Sequence, residues 1–235
     1  MALLLSLGVI AGALTTISGF GGGLLLVLAL AVVSDAKHAL VVTALGLLVG
    51  NSHRLFLYRR SLSWSIGRPL LFGVIPGALA GALFAVSVPT IVINLLMLGV
   101  VGLALARAFW GFTWVLPSHA LTASGLLIGA LTATAGGAGL LVGPLLLASG
   151  LSGTAYLATT ALCAACMHAS RIVGYAIGGM YDGPALIEAA LLACALITGN
   201  FLGDAIRARL GERALRWIEL GAPVLALILA LAGAV

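Results

Sequence analysis

Gly8-Val-Ile-Ala-Gly-Ala-Leu-Thr-Thr-Ile-Ser-Gly-Phe-Gly-Gly-Gly23 lies over Gly125-Leu-Leu-Ile-Gly-Ala-Leu-Thr-Ala-Thr-Ala-Gly-Gly-Ala-Gly-Leu140 when the chain is slid along itself by 117 positions. The register holds without a gap to Tyr58 over Tyr175. Gly12, Ala13, Leu14, Thr15, Gly19, Gly22, Leu24, Thr43, Ala44, Leu45, Arg54 and Tyr58 are among the positions repeated unchanged. A duplicated hydrophobic half, with a glycine-broken segment at the same place in each copy, is the sequence mark of a secondary transporter. The repeat divides the chain into residues 1–117 and 118–235, two halves of one compact bundle.

Composition places this duplication in a membrane. Hydrophobic residues make up 63% of the 235, charged residues 7%, and mean hydropathy is +1.27. A soluble domain carries about 25% charged residues, so the expected class is an all-α integral membrane protein. The net charge of +5 does not point to nucleic acid, because no basic run with interleaved aromatics exists. The arginines read as topology signals. Cys163-Ala-Ala-Cys166 has redox-motif spacing without the βαβ context of a redox domain, and Cys194 also sits in an apolar segment; all three read as small core residues. The apolar start lacks a positive n-region and belongs to the repeat, so it reads as structure and not as a signal peptide.

Five apolar stretches fill each half: 3–17, 23–33, 39–57, 69–86 and 91–109, then 121–134, 140–149, 155–173, 185–203 and 217–234. A spanning helix needs about 20 residues, so the first two stretches of each half are too short to cross alone. Gly19-Phe-Gly-Gly-Gly23 and Gly136-Gly-Ala-Gly139 divide these short pairs and favour a turn or unwound backbone. Each pair is either a re-entrant hairpin or one broken helix, and such backbone is tolerated only where protein buries it or it lines a cavity. With the hairpin, each half crosses three times and the halves are inverted. Arg59, Arg60, Arg68, Arg107, Arg207, Arg209, Arg213 and Arg216 then share one face with Trp64, Trp110, Trp114 and Trp217. Lys37 lies opposite, beside Asp35 and Asp182. The broken helix splits the same arginines four and four, so the positive-inside rule selects the hairpin and puts both termini outside the cytoplasm. A pair of short helices that both cross gives the same parity and stays open. Gly77-xxx-Gly81 and Gly199-xxx-Gly203 correspond if the second half carries a short insertion, and read as close helix packing.

The chemistry is expected where the two breaks meet. A half-helix beginning at Gly22 or Gly139 presents N–H groups without intrahelical partners and a partial positive charge. Gly19, Gly21, Gly22 and Gly23 with Gly136, Gly137 and Gly139 therefore predict an anion site. Asn51 and His168 share one repeat position, and Thr43 and Thr160 share another about two turns away. Arg54 and Arg171 read either as an anion gate or as anchors that snorkel to the interface. His168 reads as a substrate or proton contact, or as a core histidine bonded to a carbonyl. Thr15 and Thr132 repeat one turn before the breaks and bond either an oxyanion or their own helix. Glu188 lies about a turn inside its helix, while Asp204, Glu212 and Glu219 lie near the arginine-rich face. No buried acid pair for a proton relay is visible.

With Gly19-Phe-Gly-Gly-Gly-Leu-Leu-Leu-Val27 in one half, and Gly136-Gly-Ala-Gly-Leu-Leu-Val-Gly-Pro144 followed by Thr159-Thr160 in the other, the chain resembles the TauE/SafE family of sulfite and organosulfonate exporters. The resemblance covers both halves. It departs where Val27-Leu-Ala replaces the proline common after the first glycine run, while Pro144 keeps it in the second. The resemblance implies export of sulfite, sulfonates or thiosulfate across a bacterial inner membrane. The expected substrate site is Thr15, Gly19, Gly21, Gly22, Gly23, Asn51, Arg54, Thr132, Gly136, Gly137, Gly139, His168 and Arg171. Its partners are a small anion and the lipid bilayer, with no nucleic acid; homo-oligomerisation is open. No cofactor, resident metal or catalytic residue is expected. Three alternatives remain: a different anion, a metal held by His53, His168, Cys163 and Cys166, or a subunit without flux of its own. An enzyme is disfavoured, since Ser18-Gly19 with His168 is a poor nucleophile and base pair.

Overall fold

A computed structural model describes residues 1–19, 21–110, 117–211 and, beyond these, 214, 215, 217, 218, 225 and 228. The side chains of 104, 105, 107–110 and 138–140 lie outside that description. The expectations placed on Arg107, Trp110, Trp114, Glu212, Arg213, Arg216 and Glu219, and on most of the stretch 217–234, therefore fall outside it too.

The described residues form helices and no strand. In chain order these are α1 (Ala2–Ser18), α2 (Gly22–Val33), α3 (Ala36–Tyr58), α4 (Trp64–Ser87) and α5 (Thr90–Trp110). The second half gives α6 (Ser118–Ala135), α7 (Ala138–Ala148), α8 (Gly153–Ile177) and α9 (Gly183–Arg207). α4, α8, α9 and α3 with its 3-10 extension to Ser61 are long and apolar enough to cross a membrane. At 1.5 Å per residue, α8 is about 37 Å long against a hydrocarbon core of about 30 Å. α6 begins three residues before the apolar stretch 121–134, because Pro117 occupies its N-cap and starts the turn at Ser118.

The breaks are made by glycine conformation. Gly19 and Gly21 have φ of 83° and 93°, and Gly136 and Gly137 have 75° and 92°, a region closed to most side chains. α2 then turns back beside α1. A Cβ on Gly22 would lie 2.2 Å from the Ala11 carbonyl oxygen, while Leu30 and Val33 share a cavity with Met1 and Leu4 at the other end of the pair. Asp35 and Asp182 are the N-caps of two long helices. Asp35 caps α3 by accepting from the Lys37 and His38 N–H groups, and Asp182 caps α9 by accepting from Ala185 N–H.

Between the halves, contacts come in exchanged pairs. α4 packs along α6, and α9 packs along α1. A Cβ on Gly77 would meet the Leu126 carbonyl oxygen at 2.1 Å, and one on Gly199 would meet that of Val9 at 2.2 Å. Gly81 meets Ala130 O at 2.3 Å, and Gly203 meets Ala13 O at 2.6 Å. Val9 and Ala13 are the repeat mates of Leu126 and Ala130. Gly77 lies 122 positions before Gly199, against 117 elsewhere, so the second half holds five extra residues ahead of α9. These glycines allow the backbones to touch, the close approach that small-xxx-small spacing permits.

α3 and α8 cross the centre antiparallel. Arg171, towards the C-terminal end of α8, meets Leu40 and Thr43 near the start of α3. At the arginine-rich end Tyr58 donates to Asp204, and Arg207 donates to the Ile17 carbonyl at the close of α1. At the opposite end His38 pairs with Glu188 at 2.9 Å.

Candidate functional site

α3 and α8 turn one face each towards the first glycine break. On α3 that face carries Leu47, Asn51 and Arg54; on α8 it carries Thr160, Ala164 and His168. The spacing of three to four residues is that of one helix face. Leu47 is the repeat mate of Ala164, and Asn51 that of His168, so the two faces oppose equivalent positions. Together with Thr15, Gly19, Gly21, Gly23 and Gly137 they line a cavity of about 20 Å³. That is room for about one water.

The polar groups there are buried and incompletely satisfied. Arg54 is 1% exposed. Its Nη1 donates to the Thr15 carbonyl oxygen at 2.8 Å, and its Nε has no hydrogen-bond partner. The Nδ1 of His168, also buried, has none either. Asn51 donates to the Leu47 carbonyl at 2.8 Å, while the Thr15 and Thr160 hydroxyls donate to Ala11 and Tyr156 carbonyls, each one helical turn back. The N-cap of α2 is Gly21, which offers no side-chain acceptor. The first turn of α2, whose N–H groups carry partial positive charge, borders the cavity through Gly21 and Gly23. Among the described residues the one ion pair is His38–Glu188, and no described carboxylate neutralises Arg54. Such an environment favours an anion with several acceptor oxygens.

The other expected residues stand elsewhere. Gly22, Thr132, Gly136 and Arg171 do not line this cavity, and Gly139 lies outside the described side chains. Gly22 is pressed against α1, and Gly136 against Val27. α7 begins at Ala138, one residue before the expected Gly139. Arg171 is fully buried, and its Nη2 donates to the Leu40 carbonyl at 2.8 Å and to Thr43 Oγ1 at 2.9 Å. Its Nη1 makes a long 3.5 Å bond to the Thr132 carbonyl. Neither arginine snorkels. Just outside α8, burial pushes the Tyr181 phenol up to about 12, against the opposing pull of the Arg171 charge.

Leu47, Thr160 and Ala164 complete the lining without having been singled out as site residues. The matched Thr43 and Thr160 were a visible signal; Leu47 and Ala164 were hidden by their apolar character. Among the described residues no three of His, Cys, Asp and Glu gather as metal ligands. Cys163 is buried, Cys166 partly buried and Cys194 exposed, all as free thiols. Ser18, the nearest approach to a nucleophile, donates to the Leu14 carbonyl.

No curated protein and no solved structure matches the chain. The model of one protein family does, described as "Sulfite exporter TauE/SafE", over residues 4–233. That match takes in both glycine breaks and both buried arginines, and with it this chain belongs to the TauE/SafE family of membrane transporters.

Proposed function

We propose that this transporter carries small sulfur-containing oxyanions, namely sulfite, sulfonates or thiosulfate, out of the cell by alternating access. One observation carries the reading. Arg54 is a buried cation with no carboxylate partner among the described residues, on a cavity walled by glycine backbone and a helix N-terminus. An unpaired charge inside a membrane is costly, and a visiting anion removes that cost. A guanidinium also offers its N–H fork to two oxygens at once.

In this reading residues 1–117 and 118–235 are inverted repeats, and the short pairs α1–α2 and α6–α7 are re-entrant hairpins. The antiparallel run of α3 against α8 and the exchanged glycine contacts support the inversion. The return of α2 alongside α1 supports the hairpin. Arg54, Asn51, His168, Thr15 and the N–H groups around Gly19, Gly21, Gly22, Gly23 and Gly137 hold the oxyanion. Thr132, Gly136, Gly139 and Arg171 form the corresponding surface of the second half. The arginine-rich end faces the cytoplasm, both termini face the periplasm, and the membrane is the bacterial inner membrane. The protein works as a transporter and not as an enzyme.

The test is labelled sulfite flux in proteoliposomes, with unlabelled sulfonates, thiosulfate, sulfate and chloride as competitors. Saturable flux inhibited by sulfur oxyanions, and lost in an Arg54→Ala, Arg171→Ala double variant that remains folded, supports the reading. No flux and no competition from folded, inserted protein would sink sulfite as the substrate.

A further inference from the structure

We propose that the two arginines trade places during transport. In the state described here Arg171 is tied to the opposite half while Arg54 faces the cavity. In the opposite state Arg54 is tied and Arg171 faces the cavity. The inference rests on the inverted-repeat reading above.

The observations are a shared bond and an unshared pair. Arg54 donates to the Thr15 carbonyl and Arg171 to the Thr132 carbonyl, both across a sequence separation of 39. These four residues are two repeat-matched pairs, so this bond obeys the duplication. Arg171 alone adds bonds into α3, to the Leu40 carbonyl and Thr43 Oγ1. Among the described residues Arg54 has no counterpart to these bonds. The counterparts nevertheless exist in sequence, because Leu157 and Thr160 are the repeat mates of Leu40 and Thr43.

Thr160 is also set up to receive a guanidinium. Its hydroxyl donates to the Tyr156 carbonyl at 2.8 Å, as the Thr43 hydroxyl donates to the matching Ala39 carbonyl at 2.6 Å. In Thr43 the lone pairs of that oxygen accept Arg171. In Thr160 the same oxygen lines the cavity shared with Arg54. The scaffold around them is far closer to symmetric, with Gly77 and Gly199 meeting repeat-matched carbonyls at 2.1 and 2.2 Å. The arginines thus depart from a symmetry that these glycine contacts keep. Exchange of the two arrangements replaces one set of bonds by an equivalent set. That keeps the two states close in free energy, as alternating access requires. Thr43 and Thr160 are then positioning residues, each holding the arginine of the other half in one state.

The test uses a background with Cys163, Cys166 and Cys194 replaced by Ser or Ala and a reporter Ala164→Cys in the cavity wall. A membrane-impermeant thiol reagent is applied to right-side-out and inside-out vesicles, and sulfite flux is measured on the same preparations. Thr43→Val removes an acceptor of the state described here, and Thr160→Val removes one of the opposite state. The two variants are expected to move the ratio of labelling rates from the two sides in opposite directions, each about tenfold or more. Thr43→Ser and Thr160→Ser, which keep the hydroxyl, are expected to restore the parent ratio. Shifts in the same direction, or no shift in folded protein, overturn the exchange. Opposite shifts without sulfite flux leave the exchange standing and remove the substrate; flux without opposite shifts does the reverse.

Discussion

Arg54 donates to the carbonyl oxygen of Thr15 at 2.8 Å, which fixes its guanidinium against the last turn of α1 beside the first glycine break. The bond uses one N–H of five, and Nε remains without a partner. A hydrogen bond to a charged group contributes about 1.5–3 kcal/mol. Arg54→Gln is therefore expected to weaken sulfite binding by roughly 10- to 100-fold. Arg54→Lys keeps the charge but loses the planar fork, and should fall between the two. Competition of unlabelled sulfite against labelled flux gives the affinities. Unchanged affinity in Arg54→Gln would remove this side chain from the site.

Arg171 calls for a different outcome. Its bonds to Leu40, Thr43 and Thr132 join α8 to α3 and α6. Arg171→Gln breaks that junction and should destabilise the detergent-solubilised protein by about 2–3 kcal/mol. The loss from Arg54→Gln should be smaller, since that side chain makes one such bond. Thermal unfolding of both variants in one detergent measures the difference. Equal stability losses would contradict this division between the two arginines.

The glycines separate into two classes, and the small-xxx-small spacing marks the first of them. A Cβ on Gly77 or Gly199 would come within 2.2 Å of a neighbouring helix backbone. Backbone cannot move aside as a side-chain tip can, so Gly77→Ala or Gly199→Ala should cost about 1–3 kcal/mol or prevent assembly. Around Gly99 and Gly102 in α5 nothing among the described residues stands within 4 Å. There an alanine gains helix propensity, up to about 1 kcal/mol. Yield and thermal stability of the four single variants are the measurement, and a loss at Gly99 matching that at Gly77 would refute the distinction.

Much of this arrangement was legible in the chain because duplication writes it twice. The 117-residue register located both breaks, both arginines and the Asn51–His168 position before any coordinate. What it could not supply was inequality. Arg54 and Arg171 read identically in the repeat, yet one lines the cavity and the other is bonded away from it. Sequence similarity reports what two sites share, whereas the bonds an arginine finds depend on the rotation of the helices around it. Gly22 departs from its expected place for a related reason. A residue at a helix start offers its N–H group forward while its Cα packs backward, so Gly22 lies against α1 instead of on the cavity wall. Leu47 and Ala164 carried no polar signal, although apolar walls make up much of most binding sites.

Asn200 shows how a structural polar group escapes a search based on repeats. Its repeat position in the first half, allowing for the five inserted residues, is Ala78, so no duplicated signal marks it. It is 3% exposed. Its Oδ1 accepts from the Thr16 hydroxyl at 2.9 Å, and its Nδ2 donates to the Gly50 carbonyl at 2.7 Å. One side chain thus joins α1, α3 and α9 one turn from where Gly203 lets α9 touch α1. Asn200→Leu would leave the Thr16 hydroxyl buried without this acceptor and press a branched side chain into the junction. The expected cost is about 1–3 kcal/mol, from the lost bonds and the misfit together. Asn200→Leu combined with Thr16→Val removes both ends of the Thr16 bond and should recover part of that loss, because an apolar pair leaves no hydroxyl unsatisfied. Thermal stability of the single and double variants in detergent decides it. A double variant no more stable than Asn200→Leu alone would mean that packing, and not the buried hydroxyl, sets the cost at this junction.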